Sequence, residues 1–395
     1  MKKSINILRE NLLNTFLVVS LVVITLILLI YKLGSIVPAY GPTEFKTATS
    51  ILGFSGFFNH IFYLPIEIIR SFLFGIFPSH GYTLTRLPNV VFGIASISIF
   101  SYLIYVWHGR RTATLATILF ITSAWTLHVS RLASYDVLYT FAALSMVLIN
   151  VLMKKYKTSP KIFIFCGFLS GLLATIPGII WLLMISFFLL KDEISIAWQH
   201  LLKKWHKIIF TVFVTYWIPL VTFSIVEYGG LLKFLGAPNH FLGVWQTIKH
   251  FIAVPVHLFI RGPQYPELWL GRAPVFDVFV LLCIAIGLYF YISHKEAARS
   301  QMLLVLLLCS MFLVGLGGVV SLSAPIAILY LISATGITFL LKEWLSMFPI
   351  NPIARILGIG LVTVAVLISA VYGIRSYFIA WPHNTVTKTT FIYKK

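Results

Sequence analysis

The sequence predicts an all-α polytopic membrane protein, with about eleven transmembrane helices and amphipathic helices in two long extracytoplasmic loops. Three observations predict it. Of 395 residues, 59% are hydrophobic and only 10% are charged, too little polar surface to cover a water-soluble globule of this length. Apolar runs of roughly 18 to 22 residues recur, matching the hydrocarbon thickness of a bilayer, where a helix satisfies its own backbone hydrogen bonds. Most of the bases cluster in short segments between those runs, as expected of cytoplasmic loops.

The first run, 15–30, follows Lys2, Lys3 and Arg9. Val37-Pro38-Ala39 imitates a signal-peptidase site, but Glu10 interrupts the basic leader and the later spans need no cleaved signal, so the run is read as a retained first helix. Spans are expected at 13–33, 87–107, 113–128, 137–153, 162–176, 178–190, 208–226, 275–293, 302–320, 324–341 and 356–378. Between 161 and 190, Pro177-Gly178 marks either a tight turn between two short helices or a kink in one long helix. A turn keeps Arg110, Arg111, Lys154, Lys155, Lys157, Lys161, Lys191, Lys203, Lys204, Lys207, Lys295 and Arg299 together on the cytoplasmic side. The amino terminus is then cytoplasmic and the carboxyl terminus outside a plasma membrane.

Two segments assigned outside stand out by length, 34–86 and 227–274. Both remain rich in Phe, Leu, Ile and Trp, which suits helices lying along the membrane interface. No fixed-period repeat or low-complexity tract divides the chain, so 1–395 reads as a single integral membrane domain.

The formal charge of +19 comes from 30 Lys and Arg against 11 Asp and Glu. On a soluble chain this would suggest nucleic acid, but here the bases set membrane topology, and no nucleic-acid partner is expected. Cys166, Cys283 and Cys309 lie inside apolar runs with neither paired spacing nor nearby His, so they indicate neither a disulfide framework nor a zinc site.

An acid in or beside a membrane is costly, so each one needs a reason. Six are assigned outside: Glu44, Glu67, Asp136, Glu227, Glu267 and Asp277. Glu44 opens the first long loop in Pro42-Thr43-Glu44-Phe45-Lys46, and Asp136 follows the third helix in Ser130-Arg131-Leu132-Ala133-Ser134-Tyr135-Asp136. These features resemble the GT-C superfamily of membrane glycosyltransferases, nearest to bacterial relatives of protein O-mannosyltransferases and of the lipid A aminoarabinose transferase. The resemblance also rests on Thr85-Arg86-Leu87-Pro88, Gly271-Arg272-Ala273-Pro274, Tyr372-Gly373-Ile374-Arg375-Ser376-Tyr377 and Ala380-Trp381-Pro382. It covers most of the chain as pattern. One position departs from it: the family commonly carries Asp-Glu where this chain has Thr43-Glu44.

The resemblance implies inverting transfer of a sugar from a polyprenyl-phosphate donor to an acceptor hydroxyl, on a lipid, glycan or protein, at the extracytoplasmic face. Such chemistry needs a carboxylate to take the acceptor proton and cations to hold the departing phosphate. Glu44 is the expected base, with Asp136, His60 and His128 as further acid–base candidates. Arg86, Arg131, Arg261 and Arg272 are expected on the phosphate, with Lys46 and Tyr135 also in the substrate site. The structural alternatives are a Glu44–Lys46 loop pair, an Arg131–Asp136 pair pinning a helix end, and arginines that only meet lipid headgroups. No cofactor is firmly implied. A divalent ion on Glu44, Asp136 and Glu67 is weakly supported, since a donor with one phosphate needs it less. A lipid-linked saccharide flippase and a noncatalytic relative are the competing readings; the absence of paired halves with broken helices disfavours transport.

Overall fold

The apolar runs become helices in the computed structural model, which describes residues 2–50, 62–77, 81–203, 205–206, 217, 220–221, 224–225, 229–240, 243–271 and 273–393, with backbone alone for 2–14 and 50. In order these are α1 (Lys2–Ile30), α2 (Pro42–Ser50), α3 (Leu64–Ile76), α4 (Tyr82–His108), α5 (Arg110–Thr122), α6 (Ala124–Arg131), α7 (Asp136–Lys155), α8 (Pro160–Ala174), α9 (Ile179–Leu189) and α10 (Lys191–Gln199). Then come α11 (Gly230–Phe234), α12 (Val244–Phe259), a two-stranded hairpin of β1 (Gln264–Tyr265) and β2 (Trp269–Leu270), α13 (Val278–Ser293), α14 (Ala298–Gly315), α15 (Ser323–Met347) and α16 (Pro352–Arg375). A π-helical turn, Ser376–Ala380, and two short helices, Trp381–His383 and Thr385–Thr390, close the described chain.

Five described helical runs are long and apolar enough to cross a membrane: α4, α7, α14, α15 and Pro352–His383. The α5–α6 pair, bent by 61°, makes a sixth if it is one span. Thr15–Ile30, α8, α9 and α13 are apolar but shorter. The chain is thus an α-helical membrane protein. Each expected span overlies one of these helices except 208–226, which lies largely outside the described residues.

Lipid tails are as apolar as leucine, so helices in a bilayer associate through close fit rather than through escape from water. That fit is tightest between α13 and α15. At Gly287 a Cβ would collide with the Ile332 carbonyl, and at Gly336 with that of Cys283. Of the apolar window of α15, 89% is buried, against 28% for the run that begins α16, so α15 is the central pillar and α16 presents its flank outward. Edge-to-face aromatic contacts tie the neighbours to the pillar, with Phe120 and Phe276 both packed on Tyr330 at 5.3 and 5.4 Å.

Pro177-Gly178 is a turn. α8 starts beside the carboxyl end of α7, and α9 returns there, because Asn150 near the end of α7 donates to Ser186 near the end of α9 at 3.1 Å. Gly178 takes φ +77°, a left-handed conformation that suits glycine. The two termini of the long helices differ in charge. Glu44, Asp136 and Asp277 lie at or beside the starts of α2, α7 and α13, whereas Lys154 and Lys155 end α7, and Arg110 and Arg111 follow α4.

Candidate functional site

The acidic end is assembled from distant segments that the central helices bring together. Arg86, in the second turn of α4, sends Nε to Glu44 Oε1 at 3.0 Å and Nη2 to Glu44 Oε2 at 2.8 Å. Its remaining donors reach the carbonyls of Leu33, Val37 and Ala39 at 3.0, 3.2 and 3.1 Å. The planar five-donor fork suits this gathering task, since one side chain satisfies three carbonyls of an irregular segment and neutralises an acid. Glu44 also accepts the Ala133 N–H at 2.7 Å, and both charged side chains are 2% exposed. The expected base and one expected phosphate ligand are therefore partners in a buried pair that joins the first loop to the α6–α7 turn. Lys46 is exposed and is not the partner of Glu44.

Arg131 is equally committed. Its Nη1 and Nη2 donate to the carbonyls of Leu28 and Tyr31 at the end of α1, and its Nε to the Tyr377 hydroxyl at 3.1 Å. Orphan carbonyls at a helix end attract a cation, and Arg131 supplies it from another helix. It also lies over the Tyr377 and Phe378 rings at 5.3 and 5.0 Å. It does not pair with Asp136.

Asp136 is partly exposed at the start of α7, where Ser321 donates to its Oδ1. Glu67 and Arg70, on one turn of α3, form a second buried pair at 2.7 Å, and the Tyr135 hydroxyl donates to Glu67 Oε1 at 2.8 Å. Tyr135 stacks on Tyr63 with centroids 3.9 Å apart. Burial pushes the Tyr63 hydroxyl up to about 12, with the Tyr139 hydrogen bond opposing and Asp136 reinforcing the rise.

The hairpin 264–270 crosses to this cluster from the second long loop. Glu267, at its tip, accepts the Thr43 N–H at 2.7 Å and the Tyr265 hydroxyl at 3.1 Å, so the phenol oxygen is left to accept from the Thr43 hydroxyl at 2.8 Å. A carboxylate thus stands over the first turn of α2 beside Thr43. Gly41 makes room for it, since a Cβ there would lie 2.5 Å from Glu267 Oε1. The surroundings of the Tyr265 phenol include Asp136 as well as Glu267.

On its other side the hairpin borders an open groove of about 620 Å³. Ile368, Val371 and Ile379 give it an apolar flank, exposed Arg375 and half-buried Asn384 polar points, and His128 a buried contact. The His128 ring is enclosed by Trp269, Tyr377 and Trp381 at 5.9, 4.7 and 4.6 Å, and its Nδ1 carries no hydrogen bond. Trp381 donates to the Pro266 carbonyl at 3.3 Å, fastening the closing segment to the hairpin. Arg261 braces the same hairpin through the Gly271 carbonyl at 3.0 Å. His60 and Arg272 lie outside the described residues.

Among the described residues no group of three or more His, Cys, Asp and Glu side chains converges on one point, so Glu44, Asp136 and Glu67 do not form a common ligand set. The residues that sequence reasoning passed over as site members are Glu267, Tyr265, Arg70 and Arg375, while Glu67 enters it only as a metal ligand. Glu267 stood among the external acids, but nothing local in Pro266-Glu267-Leu268 marks it as the neighbour of Thr43, more than two hundred positions away. No protein-family model matches the chain, and no curated protein matches it. Fold and site together define an α-helical membrane protein with a buried carboxylate–arginine cluster beside an apolar groove.

Proposed function

We propose that the chain is an integral membrane glycosyltransferase of GT-C type, moving a sugar from a polyprenyl-phosphate donor to an acceptor hydroxyl at the extracytoplasmic face with inversion. In this reading its apolar helices make about eleven spans, the short ones included, with the acidic end outside a plasma membrane and the basic end in the cytoplasm. The observation that carries the reading is the hairpin 264–270. One of its faces brings Glu267 to Thr43 near Asp136, and the other walls the groove that ends at Arg375.

A prenyl chain suits the apolar flank of that groove, and its phosphate suits Arg375, which is exposed and has no hydrogen-bonded partner among the described residues. Asp136 is the base in this reading, because its carboxylate has the Ser321 hydroxyl and no described arginine for a partner, while both Glu44 oxygens are engaged by Arg86. The acceptor O–H passes its proton to Asp136 as its oxygen bonds to the anomeric carbon, and the bond from that carbon to the donor phosphate breaks with its electron pair leaving on the phosphate. Glu267 and Tyr265 hold the first turn of α2 against the site. Glu44, Arg86 and Arg131 position the loops and need not touch substrate.

Purified protein with a radiolabelled polyprenyl-phosphate sugar tests the reading. Saturable donor binding that Arg375→Ala weakens is the expected result. Wild-type protein that neither binds nor consumes a donor of verified quality, across several sugars, would overturn it in favour of a transporter or a noncatalytic relative.

A further inference from the structure

A second groove lies at the opposite, basic end. It is lined by Leu17 and Leu21 of α1, Tyr105 and Val106 of α4, Arg110 of α5 and Lys155 of α7, and its volume is about 780 Å³. Its inner part is closed by a hydrogen bond between the Ser101 and Thr117 hydroxyls at 2.8 Å, so polar groups there already satisfy one another and leave an apolar body. The cations are differently placed. Arg110 is half-buried with no hydrogen bond from its guanidinium among the described residues, and exposed Lys155 meets the neighbouring Tyr156, 5.2 Å from its ring centroid, with Tyr102 of the groove wall also nearby. Neither has a carboxylate partner among the described residues.

We propose that this groove binds one anionic glycerophospholipid, with its phosphate between Arg110 and Lys155 and an acyl chain along α1 and α4. Two cations at the mouth of an apolar channel match a singly charged phosphate joined to a hydrocarbon chain. A zwitterionic headgroup would bring its own ammonium into the same field. A half-buried guanidinium without a carboxylate is costly beside a membrane, and an anionic headgroup would meet that cost, since no described carboxylate pairs with Arg110 or Lys155. The site stands apart from the groove at Arg375, and the inference does not rest on the proposed transfer activity.

Full-length protein in phosphatidylcholine vesicles, probed with spin-labelled phosphatidylglycerol, gives the test through the motionally restricted lipid fraction. Wild-type protein should prefer phosphatidylglycerol over spin-labelled phosphatidylcholine, and Arg110→Gln with Lys155→Gln should reduce that preference roughly tenfold. The charge-conserving exchange Arg110→Lys with Lys155→Arg should retain it, which separates loss of the site from loss of the fold. Lys295→Gln, on another loop, should leave it unchanged. Equal association of the two lipids with wild-type protein, or an undiminished preference in the double Gln variant, would overturn the proposal. In Arg375→Ala protein, stronger retention of a spin-labelled polyprenyl phosphate than of phosphatidylglycerol that the added Arg110→Gln and Lys155→Gln exchanges abolish would overturn the assignment of the occupant.

Discussion

Arg86 grips both oxygens of Glu44, at 3.0 and 2.8 Å, while three further donor contacts gather the carbonyls of Leu33, Val37 and Ala39. The pair therefore does for the first loop what a hydrophobic core does for a soluble domain. Its two charges are tolerable because every guanidinium N–H is satisfied and the acid receives a backbone N–H as well.

Breaking the pair should cost stability before it costs chemistry. Arg86→Ala strands the Glu44 carboxylate and three carbonyls, and should destabilise the fold by about 3–5 kcal/mol, read as a large fall in the thermal midpoint in detergent. Glu44→Gln should lower the midpoint in the same direction. A Glu44→Gln protein with unchanged midpoint and abolished transfer would instead return Glu44 to the role of base.

Asp136→Asn should behave in the opposite way. The amide keeps the shape and can still accept from Ser321, so folding and donor binding should be largely retained. Transfer should fall by a factor of roughly a hundred or more, the range for loss of a general base. Turnover within a few-fold of wild type would remove Asp136 from the mechanism.

Arg131→Ala should act through α1. The substitution frees the Leu28 and Tyr31 carbonyls and empties the space over Tyr377 and Phe378. A loss of about 2–4 kcal/mol is expected from the charged hydrogen bonds and ring contacts together. Normal stability combined with weakened donor binding would make Arg131 a phosphate ligand instead.

Gly41→Ala tests the seat of Glu267. The new methyl would occupy the carboxylate's position, displacing it from Thr43 and loosening the hairpin. Cross-linking between cysteines introduced at Lys46 and Gln264, absent native thiols, should change in rate relative to the parent protein, and an identical rate would show that the carboxylate has room to spare.

The Tyr63 phenol predicts an alkaline dependence. Its hydroxyl is pushed up to about 12 by burial, so the folded state keeps a proton that the unfolded chain gives up near pH 10. The folded form then binds more protons than the unfolded form between these values, and stability falls as pH rises through this window. Tyr63→Phe should flatten that part of the curve. An unchanged slope in denaturation midpoints between pH 10 and 12 would place the effect on another phenol.

Much of the architecture is legible without coordinates. Composition requires a bilayer, apolar run length gives the helices, and basic clusters group their ends, because each of these is a local property priced residue by residue in a membrane. At Pro177-Gly178 the pattern fits both a turn and a kink, and the Asn150–Ser186 contact shows the turn. Among the acids expected at a membrane edge, Glu44, Glu67 and Glu267 are tied by hydrogen bonds to the loops at the acidic end, and Asp136 opens α7 there.

Partnership was decided by the tertiary structure alone. Glu44 chooses Arg86 over Lys46, two positions away, because burial leaves no water to solvate either charge and rewards the planar fork that can satisfy both oxygens. Arg131 turns to the end of α1, and Glu267 comes from the second long loop to Thr43. Such contacts depend on which helix ends meet in three dimensions. Hydropathy and charge along the chain mark where apolar helices and basic clusters fall, but a one-dimensional pattern carries no information on which helix ends touch.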